Sequence, residues 1–283
     1  MRTYLDCIPC FIRQTLEAVQ LVSSDASLHE SVLRQVLRWA AEMDMSQSPP
    51  AMGQRIHRLI RTLTNNDDPY QLAKAQQNLM ALHLLDSFKT QLETATDPLD
   101  MAVRLAIAGN VMDLGLKGNI TESEVRATIY QALATPLVGE PEAFKKAVAR
   151  AQRILYLTDN AGEIAFDGLL IQQIGPARVT VAVRGRPILN DATLEDARAV
   201  GLHHVVELMD NGSDAPGTLL GDCSQEFRRR FYQADLIIAK GQGNYETLSQ
   251  EPGPIFFLFK AKCPVIARHV AVPLGTHLLL QQG

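Results

Sequence analysis

No run of about 18 consecutive apolar residues occurs in the 283-residue chain, so no membrane-spanning helix is expected. Cysteine is scarce. Cys7, Cys10, Cys223 and Cys263 are too few for a disulfide framework in a chain this long, and a reducing cytoplasm is the expected location. The start, Met1-Arg2-Thr3-Tyr4-Leu5-Asp6, carries an early carboxylate and no long apolar core, so no signal peptide is expected. Positive charge is not in excess. Lys and Arg number 27 against 31 Asp and Glu, a formal net charge of −4, which argues against a general nucleic-acid-binding face but leaves room for a local basic pocket. There is no Gly-x-Ser-x-Gly elbow, no Walker A sequence and no dinucleotide fingerprint. Internal repeats and low-complexity segments are also missing.

What is present is an ordinary globular composition, 46% hydrophobic and 20% charged. The length suits one large domain or two smaller ones, since domains run roughly 100–200 residues. The first half has helical spacing of apolar residues, as in Phe11, Ile12, Leu16, Val19 and Val22. Breaks fall at Ser48-Pro49-Pro50, Asn65-Asn66-Asp67-Asp68-Pro69 and Asp97-Pro98, and the helix opened by Pro98 is expected to end near Gly115. After Arg153 the period changes. Short apolar or β-branched runs at 154–157, 179–183, 205–208, 236–239, 254–258 and 265–267 alternate with helical stretches. That pattern predicts an α/β fold: a helical amino-terminal domain, 1–97, and a Rossmann-like α/β/α domain, 98–283, with a mostly parallel sheet.

Four of these strands run into polar residues, and parallel strands would bring those ends to one crevice, where open α/β sheets bind ligands. The first end is Thr158-Asp159-Asn160-Ala161-Gly162-Glu163 and the second Arg184 to Thr193, which includes Asp191. The third is Asp210-Asn211-Gly212-Ser213-Asp214 and the fourth Lys240-Gly241-Gln242-Gly243-Asn244-Tyr245-Glu246. Asp159 and Asn160 either cap the next helix or join Asp191 in supplying oxygens to a hard cation such as Mg²⁺ or Mn²⁺. The other polar edges favour the metal, because convergent polar groups mark sites. Lys240 heads a glycine-rich turn and would add a point charge for phosphate. Asn211 to Gly217 reads equally as an anion loop or a surface turn. Arg184, at a strand end, is placed for a phosphate or carboxylate partner. Asn110 and Asp113 are three apart and share a helix face; they either sit exposed at a helix end or enter the crevice. Cys7 and Cys10 are spaced as half a zinc site with no second pair, which leaves them as packed thiols.

Taken together, Cys7-Ile8-Pro9-Cys10, Gly109-Asn110 with Asp113, Asp159 to Glu163, Asn190-Asp191-Ala192-Thr193, Lys240 to Asn244 with Glu246, and Ala261-Lys262-Cys263 resemble the metal-dependent damage-control phosphatases. Some members of that family carry an acidic-residue methyltransferase name, and the Cys pair is similar to the stand-alone prokaryotic branch. The resemblance implies hydrolysis of phosphate esters of small metabolites, such as sugar phosphates or damaged cofactor intermediates. It implies a divalent ion, among magnesium, manganese, cobalt and nickel. It makes Asp159, Asn160 and Asp191 the metal ligands and Lys240 the phosphate-binding cation. Glu163, Asn110, Asp113 and Arg184 become substrate-binding or supporting residues. A small phosphorylated metabolite is the expected partner, with neither nucleic acid nor membrane. Two rivals are an S-adenosylmethionine-dependent carboxyl methyltransferase, which would be indifferent to chelator, and a non-catalytic metabolite-binding protein, which would bind without turnover.

Overall fold

The computed structural model describes residues 1–111 and 121–282. Helices α1 (Cys7–Val22), α2 (Ala26–Glu42) and α3 (Pro49–Thr64) come first. They share a small core of their own around Phe11, Val19, Val32, Val36, Met52, Ile56 and Ile60. Local signals set their ends. Asp25 accepts from the Ser27 amide at the start of α2, and Pro49 and Pro50 open α3. Helices α4 (Gln71–Glu93) and α5 (Pro98–Ala108) follow; Asp97 caps α5 with Pro98 at its first position. Residues Ala81 to Leu92 of α4 belong to the large core beneath the sheet rather than to the first three helices.

The remainder alternates. Helix α6 (Glu122–Ala134), closed at its start by a Thr121–Glu124 capping box, leads to β1 (Leu137–Gly139) and α7 (Pro141–Arg150). Then come β2 (Ile154–Leu157), α8 (Glu163–Ile174), β3 (Val179–Val183), α9 (Leu194–Ala199), β4 (Glu207–Asp210) and α10 (Gln225–Gln233). The chain closes with β5 (Leu236–Lys240), α11 (Gly241–Leu248), β6 (Ile255–Lys260), α12 (Pro264–His269) and β7 (His277–Gln281). The sheet runs β1-β7-β6-β5-β2-β3-β4, parallel except for the antiparallel β6–β7 pair.

Side chains alternate across the sheet as the pleat requires. Ile154, Tyr156, Val181, Leu236, Ile238 and Phe256 enter the core covered by α4 to α8. Leu155, Leu157, Ala182, Ile237, Ala239 and Phe257 enter the one covered by α10 to α12. Burial on both faces explains why β2, β3, β5 and β6 read as continuous apolar runs.

Two strand assignments from the sequence need correction, and two strands were missed. Residues 265–267 lie in α12: Cys263 accepts from the Ile266 amide and Pro264 takes the first helical position, which overrides the β preference of Val265 and Ile266. The strand expected at 205–208 begins two residues later, because Val205 closes a 3₁₀ turn over Leu202–His204. Strands β1 and β7, at one side of the sheet, were not expected at all. The helix end expected near Gly115 lies outside the described residues.

Candidate active site

The strand order reverses between β2 and β5, because the chain runs outward from β2 through β3 to β4 and then returns to β5 and β6 on its other side. At such a switch point the loops leaving the two strands part and open a crevice at their carboxyl ends. Asp159 and Asn160 leave β2 there, and Gly241 leaves β5. The two loops touch. A Cβ at Gly241, whose φ is +80°, would lie 2.0 Å from Asp159 Oδ2, so only glycine lets this turn approach the carboxylate.

Asp191 reaches the same place through backbone pairing. The Ala161 amide donates to Asn190 O (2.8 Å) and the Ala192 amide to Asp159 O (2.8 Å), and Asn160 and Asp191 form an antiparallel bridge. Gly162, with φ +74°, then turns the chain into α8, so Glu163 opens that helix facing back toward Asp159. The turn brings the Asp159 and Asn160 side chains into contact, with Asn160 Nδ2 3.0 Å from Asp159 Oδ2.

The side chains interlock. Asn110 Nδ2 donates to Glu163 Oε2 (2.8 Å) and Asp159 Oδ2 (3.2 Å). Asn160 Nδ2 donates to the same two oxygens, each at 3.0 Å. Arg184 Nε donates to Asp191 Oδ2 (2.6 Å), while its Nη2 lies 3.9 Å from Asp159 Oδ1 and is buried without a hydrogen-bond partner. Asn244 ties the layers together: its Nδ2 donates to Thr158 O (3.1 Å) and Lys240 O (2.7 Å), and its Oδ1 accepts from Thr218 Oγ1 (2.8 Å).

Lys240 lies beneath this layer rather than open to solvent. It is fully buried, and its Nζ donates to Glu163 Oε1 (2.7 Å), Asp167 Oδ1 (2.5 Å) and Ala106 O (2.8 Å). All three ammonium protons are therefore engaged. Burial works against its charge, but Asp167 and Glu163 outweigh that and hold its pKa above the ordinary value. Asp167, which also accepts from Tyr156 Oη (2.7 Å), is pushed up to about 6 by burial, against the pull of Lys240.

Burial raises the Asp159 pKa well above the usual carboxylate value, Glu163 and Asp191 raise it further, and Lys262 and Arg184 oppose them. Among the described residues, no three His, Cys, Asp or Glu side chains form a metal cage. The set that does gather is two carboxylates and a carboxamide, Asp159, Asp191 and Asn160. Such a set suits a hard cation that keeps several waters or substrate oxygens in its shell. Asn110 Oδ1 also fits such an ion: it is a buried acceptor without a partner, on a side chain already bound to Asp159. The donor chemistry therefore fits a divalent ion.

Seven of the eight residues singled out in the sequence, Asn110, Asp159, Asn160, Glu163, Arg184, Asp191 and Lys240, come together here; Asp113 lies outside the described residues. The Asn211–Gly217 loop holds an acid of its own. Asp214 accepts from Gln54 (2.7 Å) and Arg58 (2.5 Å) and pairs with Arg61, which binds the loop to α3. Cys7 and Cys10 are free thiols on α1. Sequence reasoning gave no role to Asp167, although a carboxylate four residues after Glu163, in a run from Ile164 to Ile171 with no other polar side chain, was a usable signal. Lys262 entered only through the Ala261-Lys262-Cys263 motif, yet its charge acts on Asp159, more strongly than that of Arg184.

Known proteins are similar to this chain along nearly its whole length. Residues 3–278 match the model of the damage-control phosphatase ARMT1-like domain. A damage-control phosphatase of Pyrococcus horikoshii is 35% identical over 282 residues, covering 97% of this chain and 96% of that protein. One from Archaeoglobus fulgidus is 36% identical over 276 residues, 95% of each chain. An uncharacterized protein of Methanocaldococcus jannaschii is 34% identical, over 98% of this chain and 94% of its own. The crystal structure of a DUF89 family protein from Pyrococcus horikoshii superposes with a TM-score of 0.91 at 32% identity, covering all of both chains.

Proposed function

Because this chain belongs to the ARMT1-like damage-control phosphatase family, we propose that it is a divalent-metal-dependent phosphatase acting on phosphate monoesters of small metabolites. The observation that carries this reading is the convergence of Asp159, Asn160 and Asp191 at the β2–β5 switch point, where the Asp159 and Asp191 carboxylates are held in one small polar cluster.

In this reading Asp159, Asn160 and Asp191 would hold Mg²⁺, Mn²⁺, Co²⁺ or Ni²⁺. A divalent ion bound there supplies charge neutralisation for the phosphoryl group. The chain's own residues do the rest. Arg184 fixes Asp191 through Nε and keeps Nη2 as a spare donor for a phosphoryl oxygen. Lys262 adds a cation that acts on the same carboxylate and would help draw in an anionic ester. The amides of Asn110 and Asn160 hold Glu163 and Asp159 against each other despite their like charge. Lys240 anchors Glu163 from below and so acts as a positioning residue in place of the direct phosphate contact expected from the sequence. A fixed array of this kind lowers a barrier because its dipoles need not reorganise during reaction.

The test is phosphate release from a panel of phosphorylated metabolites by chelator-treated protein resupplied with each of the four ions in turn. Turnover should appear with metal and vanish with chelator, and Asp159→Ala should abolish it without unfolding the protein. Equal turnover with and without chelator would refute the metal dependence, and full activity in Asp159→Ala would remove that residue from the mechanism.

A further inference from the structure

We propose that Asn78, on α4 and outside the acid cluster, is a positioning residue that sets the two ligand-bearing loops in register with each other. The proposal rests on the reading that Asp159, Asn160 and Asp191 hold a divalent ion.

Two loops must share that ion. One is the turn 159–163, and the other runs from Asn190 into α9. Asn78 sits between them and bonds to both sides. Its Oδ1 accepts from the Gly162 amide (2.7 Å), and its Nδ2 donates to Asp196 Oδ1 (2.9 Å). Asp196 in turn closes the capping box of α9, accepting from the Thr193 amide (2.9 Å) and Thr193 Oγ1 (2.8 Å), two residues beyond Asp191. Lys74, one turn before Asn78 on α4, pairs with Asp196 (3.2 Å) and with Asp68 (2.7 Å).

The three central members of this bridge are buried: Lys74 is 2% exposed, and Asn78 and Asp196 4% each. The helix also abuts the turn directly. A Cβ at Gly162 would lie 2.9 Å from Gln77 O. A buried amide and ion pair are no better for stability than apolar packing of the same volume, so adhesion of α4 alone does not account for them. What they add is geometry. A short amide with one acceptor and one donor spans the two loops at a fixed separation, and ligands from separate loops must be held within about half an ångström to form a working site.

The experiment titrates metal-free, full-length protein with Mn²⁺, reading free Mn²⁺ by electron paramagnetic resonance, with the thermal midpoint measured alongside. Four proteins are compared: wild type, Asn78→Ala, Asn78→Asp, and the swap Asn78→Asp with Asp196→Asn. The swap keeps an acceptor for the Gly162 amide and restores an amide–carboxylate pair in reversed order. Both single variants should weaken Mn²⁺ binding by roughly 10- to 100-fold, as loss of an outer partner of a metal ligand does. The swap should recover most of that loss. If Asn78→Ala does not fold, Asn78→Asp and the swap carry the comparison. Wild-type Mn²⁺ affinity in the folded single variants, whatever their thermal midpoints, or no recovery in the swap, would overturn the inference and leave the functional reading intact. Absence of Mn²⁺ binding by the wild-type protein would overturn both.

Discussion

Replacing Lys240 with methionine separates two roles that the sequence alone does not distinguish. A phosphate-binding lysine would face the crevice, and its loss would weaken substrate binding with little effect on stability. The structure instead buries Nζ between Glu163, Asp167 and the Ala106 carbonyl. Methionine fills a similar volume but removes the only cation bonded to either acid among the described residues. Glu163 keeps its two carboxamide donors and Asp167 keeps Tyr156 Oη. Removing one partner of a buried ion pair costs about 3–5 kcal/mol. With a urea slope of about 3 kcal/mol/M for a protein of this size, the midpoint should fall by roughly 1–2 M.

The loss should also depend on pH. Burial already pushes the Asp167 pKa up to about 6 with Lys240 beside it. Without that cation its pKa rises further, and protonation relieves the buried charge, so Lys240→Met should be less destabilising at pH 5 than at pH 8. Adding Asp167→Asn should restore much of the stability at pH 8. A Lys240→Met protein with the wild-type urea midpoint at pH 8 and only a raised KM would refute this reasoning and return Lys240 to the substrate.

Three further predictions follow from the same site. The Asp159 pKa is raised above its ordinary 3.8 in the folded state, so its contribution to metal-free stability is present below 3.8 and lost as pH rises through the folded value. Metal-free Asp159→Asn should therefore be more stable than wild type at pH 7 and no more stable at pH 3, by urea titration; a gain at both would contradict this. Gly241→Ala should cost about 1–2 kcal/mol for the left-handed backbone. By displacing Asp159 it should also lower phosphate release by on the order of 100-fold, whereas Gly221→Ala, with open space around it, should change neither. Mn²⁺ should raise the thermal midpoint of wild-type protein in a concentration-dependent way and leave that of Asp159→Ala unmoved.

The parallel core was legible because strands buried on both faces are apolar throughout, and because Asp159, Asp191 and Lys240 each follow such a run. The edges were not. Strand β7 contributes only His277 to Gln281 and pairs antiparallel to β6, outside the strand–helix alternation that betrayed the others. Val265 and Ile266 favoured a strand locally, but the Cys263 cap and Pro264 decided for a helix. At the site, the identities of the polar residues could be read, but not which way they turn. Lys240 looks like a phosphate cation until α5 and α8 close around it. Asn78 and Asp196 sit 118 positions apart, a pairing that no local pattern reveals.

The central claim is that one divalent ion binds where β2, β5 and the Asp191 loop meet. Anomalous diffraction from crystals soaked in Mn²⁺ tests it directly. The account predicts a peak bonded to oxygens of Asp159, Asn160 and Asp191. A peak elsewhere, or none while both aspartates stay in place, would contradict it.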